Sequence, residues 1–199
     1  MDIVSRAKAM LMSPKTEWQV VASEPATVKE LFTGYAAIMA LLPVVGGLLK
    51  MLLIRTPFGM MGLPFGGYVA PLLLSYVIGL ALIYAVILIA DALAPSFDGA
   101  KNQIAAAKLI IYASTPVWIA GFFHFIPGLA SLLTLLGFAY GAYLLYLGAT
   151  VLMKVPEVKA GGYTVVIIVI WILLAMFIGG LIVGAVLGSL FFGGLVSPL

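Results

Sequence analysis

The sequence predicts an all-α, polytopic integral membrane protein: a bundle of five transmembrane helices. Three observations carry that prediction. Five apolar runs stand out: Leu31–Ile54, Tyr68–Leu93, Ile104–Ile126, Leu129–Met153 and Tyr163–Phe192. Each is long enough for a hydrocarbon core of about 30 Å, which takes roughly 20 helical residues to cross. Of 199 residues, 64% are hydrophobic and only 9% charged, outside the range of soluble domains. Nearly all of those charges fall between the runs. Backbone in lipid must satisfy its own hydrogen bonds, and no run alternates as a barrel strand does, so the runs are helices.

Residues 1–30 read as a cytoplasmic, interfacial amphipathic segment with a linker. Ile3, Val4, Ala7, Met10 and Leu11 recur at helical spacing, and Trp18 suits an interfacial anchor. Charges and prolines at Arg6, Lys8, Pro14, Lys15, Glu17, Glu24 and Pro25 leave no signal-peptide core, so the first run is expected to act as an uncleaved anchor. Pro43 in that run removes a backbone donor and predicts a kink beside Gly46 and Gly47. Lys50 is near enough to the run's end to snorkel. Thr56–Gly67 has the Gly and Pro content of turns and an apolar, membrane-skimming character.

The second run ends at Asp91, and a short connection holds Pro95, Phe97, Asp98, Gly99 and Lys101. The third run has Lys108 in its first turns and Thr115-Pro116 at its middle. Pro127-Gly128 predicts a tight turn, making runs three and four an antiparallel hairpin. A second connection carries Lys154, Pro156, Glu157 and Lys159 before the fifth and longest run. Lys and Arg divide eight to two between alternate connections, with only Lys50 and Arg55 on the sparse side. The positive-inside rule then places the N-terminus in the cytoplasm and, after five spans, the C-terminus outside.

Three sets of residues are candidates for contact or chemistry. Asp91, Pro95, Asp98, Lys101 and Lys108 gather near the cytoplasmic boundary, with Asp91 expected to pair with Lys108. The plain reading is a structural salt bridge; the others are an ion or proton site, or a contact surface for a partner or lipid headgroup. Tyr112, Ser114 and Thr115 are placed to form a polar seam where Pro116 frees backbone carbonyls, and His124 lies further along among phenylalanines. There its ordinary role is hydrogen bonding in an aromatic belt. Gly180, Gly184 and Gly188 repeat every fourth residue in the fifth run, as Gly137 and Gly141 do in the fourth. Such stripes serve packing inside a bundle or a homodimer face.

Catalysis and cofactors find no support. There is no cysteine and one histidine, no paired intramembrane carboxylates, no phosphate loop, and no catalytic triad at a common depth. Ten scattered cations make no nucleic-acid surface.

The order Asp91-Ala-Leu-Ala-Pro95-Ser-Phe97-Asp-Gly99, Lys108, Tyr112-Ala-Ser-Thr-Pro116, Ile126-Pro127-Gly128, Tyr140-Gly-Ala-Tyr143, Tyr146-Leu-Gly148, Pro156 and Tyr163-Thr164 resembles the bacterial branch of the Yip1 domain family. These are five-span membrane proteins largely of unknown function. The resemblance runs from Trp18 through the last span. It implies a Yip1-like five-helix domain over residues 31–199, with the N-terminus cytoplasmic and the C-terminus on the far side. Eukaryotic members act in vesicle traffic between endoplasmic reticulum and Golgi and associate with Rab GTPases. Their signature Asp-Leu-Tyr-Gly-Pro is matched here at Asp91 and Pro95 only, and their longer cytoplasmic N-terminal region has no counterpart, so Rab binding is not carried over.

The expectation is a non-enzymatic protein of a bacterial or archaeal cytoplasmic membrane. It would organise the bilayer or an unidentified membrane or cytoplasmic protein partner through its cytoplasmic face, and self-associate as a homo-oligomer. The alternatives are a small transporter or channel for an ion or metabolite, or a lipid-handling protein.

Overall fold

The computed structural model describes residues 2–53 and 66–193, with side-chain surroundings for 2–53 and 69–180. All regular structure among them is helical. Helix α1 (Ile3–Met12) starts at Asp2, whose carboxylate accepts the Ser5 N–H at 3.2 Å. Helix α2 (Pro14–Ser23) starts on a proline, which lacks only a hydrogen bond the first turn would not make. Helix α3 (Val28–Leu53) opens with a reciprocal capping box between Thr27 and Glu30. Then come α4 (Gly66–Leu93), α5 (Gln103–Phe125), α6 (Leu129–Leu152) and α7 (Glu157–Gly193). These last five, α3 to α7, are the helices long and apolar enough to cross a membrane.

Helix α5 is the centre of the bundle. The most apolar window of α5 is 83% buried, against 17% in α4 and in α7. It packs on α3, α4 and α6, while α7 leans on α4 and α6. Its mean hydropathy is only 1.4, against 2.7 for α4 and 2.5 for α7. The order is physical: lipid-facing helices must be apolar outward, whereas a central helix needs small residues that let neighbours approach. Ala105, Ala106, Ala107, Ala113, Ala120 and Gly121 supply them, all buried.

Glycine sets the closest crossings. A Cβ on Gly137 would lie 3.0 Å from the Pro116 carbonyl oxygen, and one on Gly141 would lie 2.9 Å from that of Ala113. The α6 stripe therefore packs inside the bundle. A Cβ on Gly46 would collide with the Phe122 carbonyl oxygen, which fixes α3 against α5. Gly128, at φ 82°, makes the tight turn between α5 and α6 in a conformation glycine adopts readily.

Several expectations need correction. The N-terminal segment holds two helices where one short helix and a linker were expected. It is a helical pair packed along the bundle, with α2 on α6. Tyr140 donates its hydroxyl to the Leu11 carbonyl at 2.7 Å. Tyr140 lies 12 residues before the end of α6, or about 18 Å along a helix. Trp18 is no interfacial anchor: it is fully buried against Gly148 and belongs to the core. The irregularities of α3 are a π-turn at Phe32–Ala36 and a turn at Ala40. The turn at Ala40 lies three residues before Pro43, on the side where the proline ring crowds the preceding turn. Helix α5 breaks likewise at Ser114, two residues before Pro116. Most of the expected Thr56–Gly67 turn region lies outside the described residues.

Candidate functional site

Charge enters this apolar molecule in an organised way at the end that carries connections 94–102 and 153–156. Arg6 sits on α1 one turn before Met10, so both face the core. Glu17, Trp18 and Val21 share the buried face of α2. Packing α1 on α2 brings the Arg6 guanidinium onto the carboxylates of both Glu17 and Glu24. Arg6 and Glu17 are only 3% and 6% exposed. The guanidinium carbon also lies 5.5 Å from the centre of the Tyr112 ring, a cation–π contact that links α1 to α5. Burial opposes the Arg6 charge. The hydrogen bond and charge of Glu24, with help from Tyr112 and Glu17, outweigh it and hold its pKa above the ordinary value.

Lys108 completes this end. Its ammonium donates to the carbonyl of Val21 at 2.7 Å and to that of Glu24 at 2.5 Å. Those carbonyls belong to the last turn of α2 and to its cap, where a helix has unsatisfied acceptors and a partial negative charge. Lys108 thus clamps the C-terminal end of α2 to α5. Deeper in the bundle, the Tyr35 and Thr115 hydroxyls hydrogen-bond at 2.9 Å, and the Tyr35 ring meets Tyr112 edge-on. The Ser114 hydroxyl donates to the Ile110 carbonyl at 2.7 Å. Tyr112, Ser114 and Thr115 are thus buried together beside Pro116, with Tyr35 and Arg6 in contact with them. His124 is not part of this group.

The five residues expected as one cluster are divided among three places. The Asp91–Lys108 pair does not form, because Lys108 is taken by the α2 carbonyls. Asp91 turns instead toward α7. Its buried Oδ1 has no hydrogen-bond partner, and Tyr163 beside it donates to the Ala90 carbonyl at 2.8 Å. Pro95 opens the 3-10 turn Ala94–Phe97. Asp98 follows at φ 59° and pairs with Lys159 at 2.5 Å, both well exposed. Lys101 is exposed. The Ala100 N–H reaches the Met153 carbonyl at 2.7 Å, joining the two connections directly. A Cβ on Gly99 would lie 2.8 Å from the same oxygen, so the crossing favours glycine.

Arg6, Glu17 and Glu24 escaped the sequence reading because charges in a short N-terminal segment look solvated. Two features could have flagged them. Glu17 adjoins Trp18 and precedes Val21 by four, so one helix face mixes acid with apolar bulk. Arg6 precedes Met10 by four, so the face of α1 that buries Met10 also buries a cation.

At the opposite end a crevice of about 570 Å³ opens between α3 and α4, with α5 and α7 behind it. Lys50, His124, Tyr76, Trp118 and Trp171 are among the residues that line it. Among the described residues no group of His, Cys, Asp and Glu is arranged to hold a metal ion.

Of the span-five glycines, Gly180 faces open space: a Cβ there would meet nothing within 4 Å. The surroundings of Gly184 and Gly188 lie outside the described residues.

The Yip1 domain model matches residues 8–179. The chain belongs to the Yip1 domain family. The match takes in the second half of α1, all of α2 to α6 and more than half of α7, so α2 with Glu17 and Glu24 falls within it while Arg6 lies just before it. No curated protein and no solved structure matches the chain.

Proposed function

We propose that this Yip1 domain protein is a non-enzymatic membrane organiser that presents a preformed cytoplasmic face to a protein partner. Its N-terminus lies in the cytoplasm and its C-terminus beyond the membrane, supported by the eight-to-two division of Lys and Arg. The membrane is the cytoplasmic membrane of a bacterium or archaeon.

One observation carries the reading. The two connections on the basic side are joined into a single surface by the Ala100–Met153 hydrogen bond and the Asp98–Lys159 pair. Val158, in the first turn of α7, stands 95% exposed beside that pair. A surface ordered before binding loses little entropy on binding. A photo-crosslinking amino acid at Val158, in the full chain in cells, tests it. The expected result is a discrete protein adduct that weakens when Asp98→Arg breaks the pair with Lys159. Adducts to lipid alone overturn the reading.

Self-association is the second part. Helix α7 turns Val169, Leu173, Met176 and Phe177 outward beside Gly180, an apolar face with room for close helix approach. The chain has no native cysteine, so Gly180→Cys gives a clean disulfide test in liposomes. A chain that stays monomeric in lipid removes this part and leaves the first intact.

A further inference from the structure

The crevice between α3 and α4 has a segregated lining. It runs along α3 from Ala40 to Lys50, eleven residues, or about 15 Å of helix. Its length is walled by apolar groups such as Val44, Leu82, Ile83 and Trp118. The hydroxyls that reach this stretch are already used by backbone: Ser75 donates to Leu72 at 2.8 Å and Tyr76 to Ala37 at 3.0 Å. Gly79 leaves space, since a Cβ there would meet nothing within 4 Å. Polar side chains not tied to backbone collect at one end, where Lys50 and His124 line the same opening; the His124 Nε2 shares a hydrogen bond of 3.4 Å with the Thr134 hydroxyl, which leaves its other ring nitrogen for a ligand. No carboxylate lines the crevice, and none pairs with Lys50 among the described residues. Phe122, Phe123 and Phe125 cluster around His124, an aromatic group suited to the interface.

We infer that this crevice binds one anionic glycerophospholipid, its phosphate at Lys50 and His124 and an acyl chain along the α3–α4 wall. Charge complementarity selects the head, because the Lys50 ammonium at the mouth of an apolar groove has no ion-pair partner among the described residues. The walls select the tail, and the volume lies within the range of ordinary small-ligand pockets, enough for part of one acyl chain and not for a whole lipid. A free phosphate would leave the apolar length unfilled. The inference is independent of the partner-binding face, which lies at the other end of the bundle.

The test is tryptophan fluorescence of the full chain in nanodiscs. Trp118 and Trp171 line the crevice, while Trp18 is buried in the core and gives a constant background. Phosphatidylglycerol brominated on its acyl chain should quench more than brominated phosphatidylcholine at equal mole fraction. Lys50→Gln should reduce that preference about fivefold, and Lys50→Gln with His124→Gln should abolish it. Gly79→Leu should weaken quenching by both lipids by filling the groove. Gly34→Leu, at an equally open site on α3 that does not line the crevice, should change nothing and reports on folding. Equal quenching by the two lipids, or a preference that survives the double variant, overturns the inference. So does reversal of the quenching by inorganic phosphate, which would assign the site to a free phosphate.

Discussion

The two ends of the bundle treat charge in opposite ways. At the connection end Arg6, Glu17, Glu24 and Lys108 are drawn under the N-terminal helices, and each finds a partner inside the protein. At the hairpin end Lys50 and His124 stand at the mouth of an open crevice, and no ion pair involves either among the described residues. A buried charge whose partners are covalently part of the fold is spent on structure. A charge left facing a cavity is available to something else. Burial alone would rank the first end as the more interesting site, and partner accounting reverses the order.

The comparison is broken most severely at Arg6. Arg6→Met leaves the Glu17 carboxylate buried without compensation, and about 3–5 kcal/mol of stability should be lost. Thermal unfolding in detergent checks this. Arg6→Met with Glu17→Met should recover much of it, because it is the orphaned charge that costs most. Lys108→Met should cost less, about 1.5–3 kcal/mol, by freeing the two carbonyls at the end of α2. Limited proteolysis near Glu24 should accelerate while α3 to α7 stay resistant. Neither change should move lipid quenching at the crevice.

Glycine gives a finer test. Gly46→Ala sets a methyl group against the Phe122 backbone carbonyl, and overpacking of this kind costs about 1–3 kcal/mol. Gly180→Ala, with open space around it, should be neutral or stabilise by up to about 1 kcal/mol through helix propensity. A large loss at Gly180 in lipid, absent in detergent monomers, would reveal a second copy on that face. The smallest effect belongs to Asp98→Asn. It removes an exposed ion pair worth about 0–1 kcal/mol, and asparagine tolerates the left-handed backbone there. Chemical denaturation should detect little change.

How far the sequence reached can be judged from particular residues. Hydropathy located all five spans, because a helix that meets lipid must announce it in composition. Gly128 was legible as a turn, and Gly137 and Gly141 as a stripe. Asp91 and Lys108 were legible as costly charges but not as partners, since nothing in a linear chain says that α2 reaches the Lys108 ammonium first. Trp18 was read as an anchor for the same reason: burial against Gly148 depends on a segment 130 residues away in the chain.

The sequence by itself determined that this chain has five helices long and apolar enough to cross a membrane, and that its basic residues gather on alternate connections between them. Those properties follow from the free energy of moving side chains and backbone into hydrocarbon, which is summed locally along the chain. Only the tertiary structure decided that the least hydrophobic span is the central one, that Arg6 and Glu17 are internal, and that the crevice has a polar end. Those depend on which helix faces meet. Between helices in lipid that choice rests on small-residue fit and a few hydrogen bonds, and neither leaves a periodic mark in sequence.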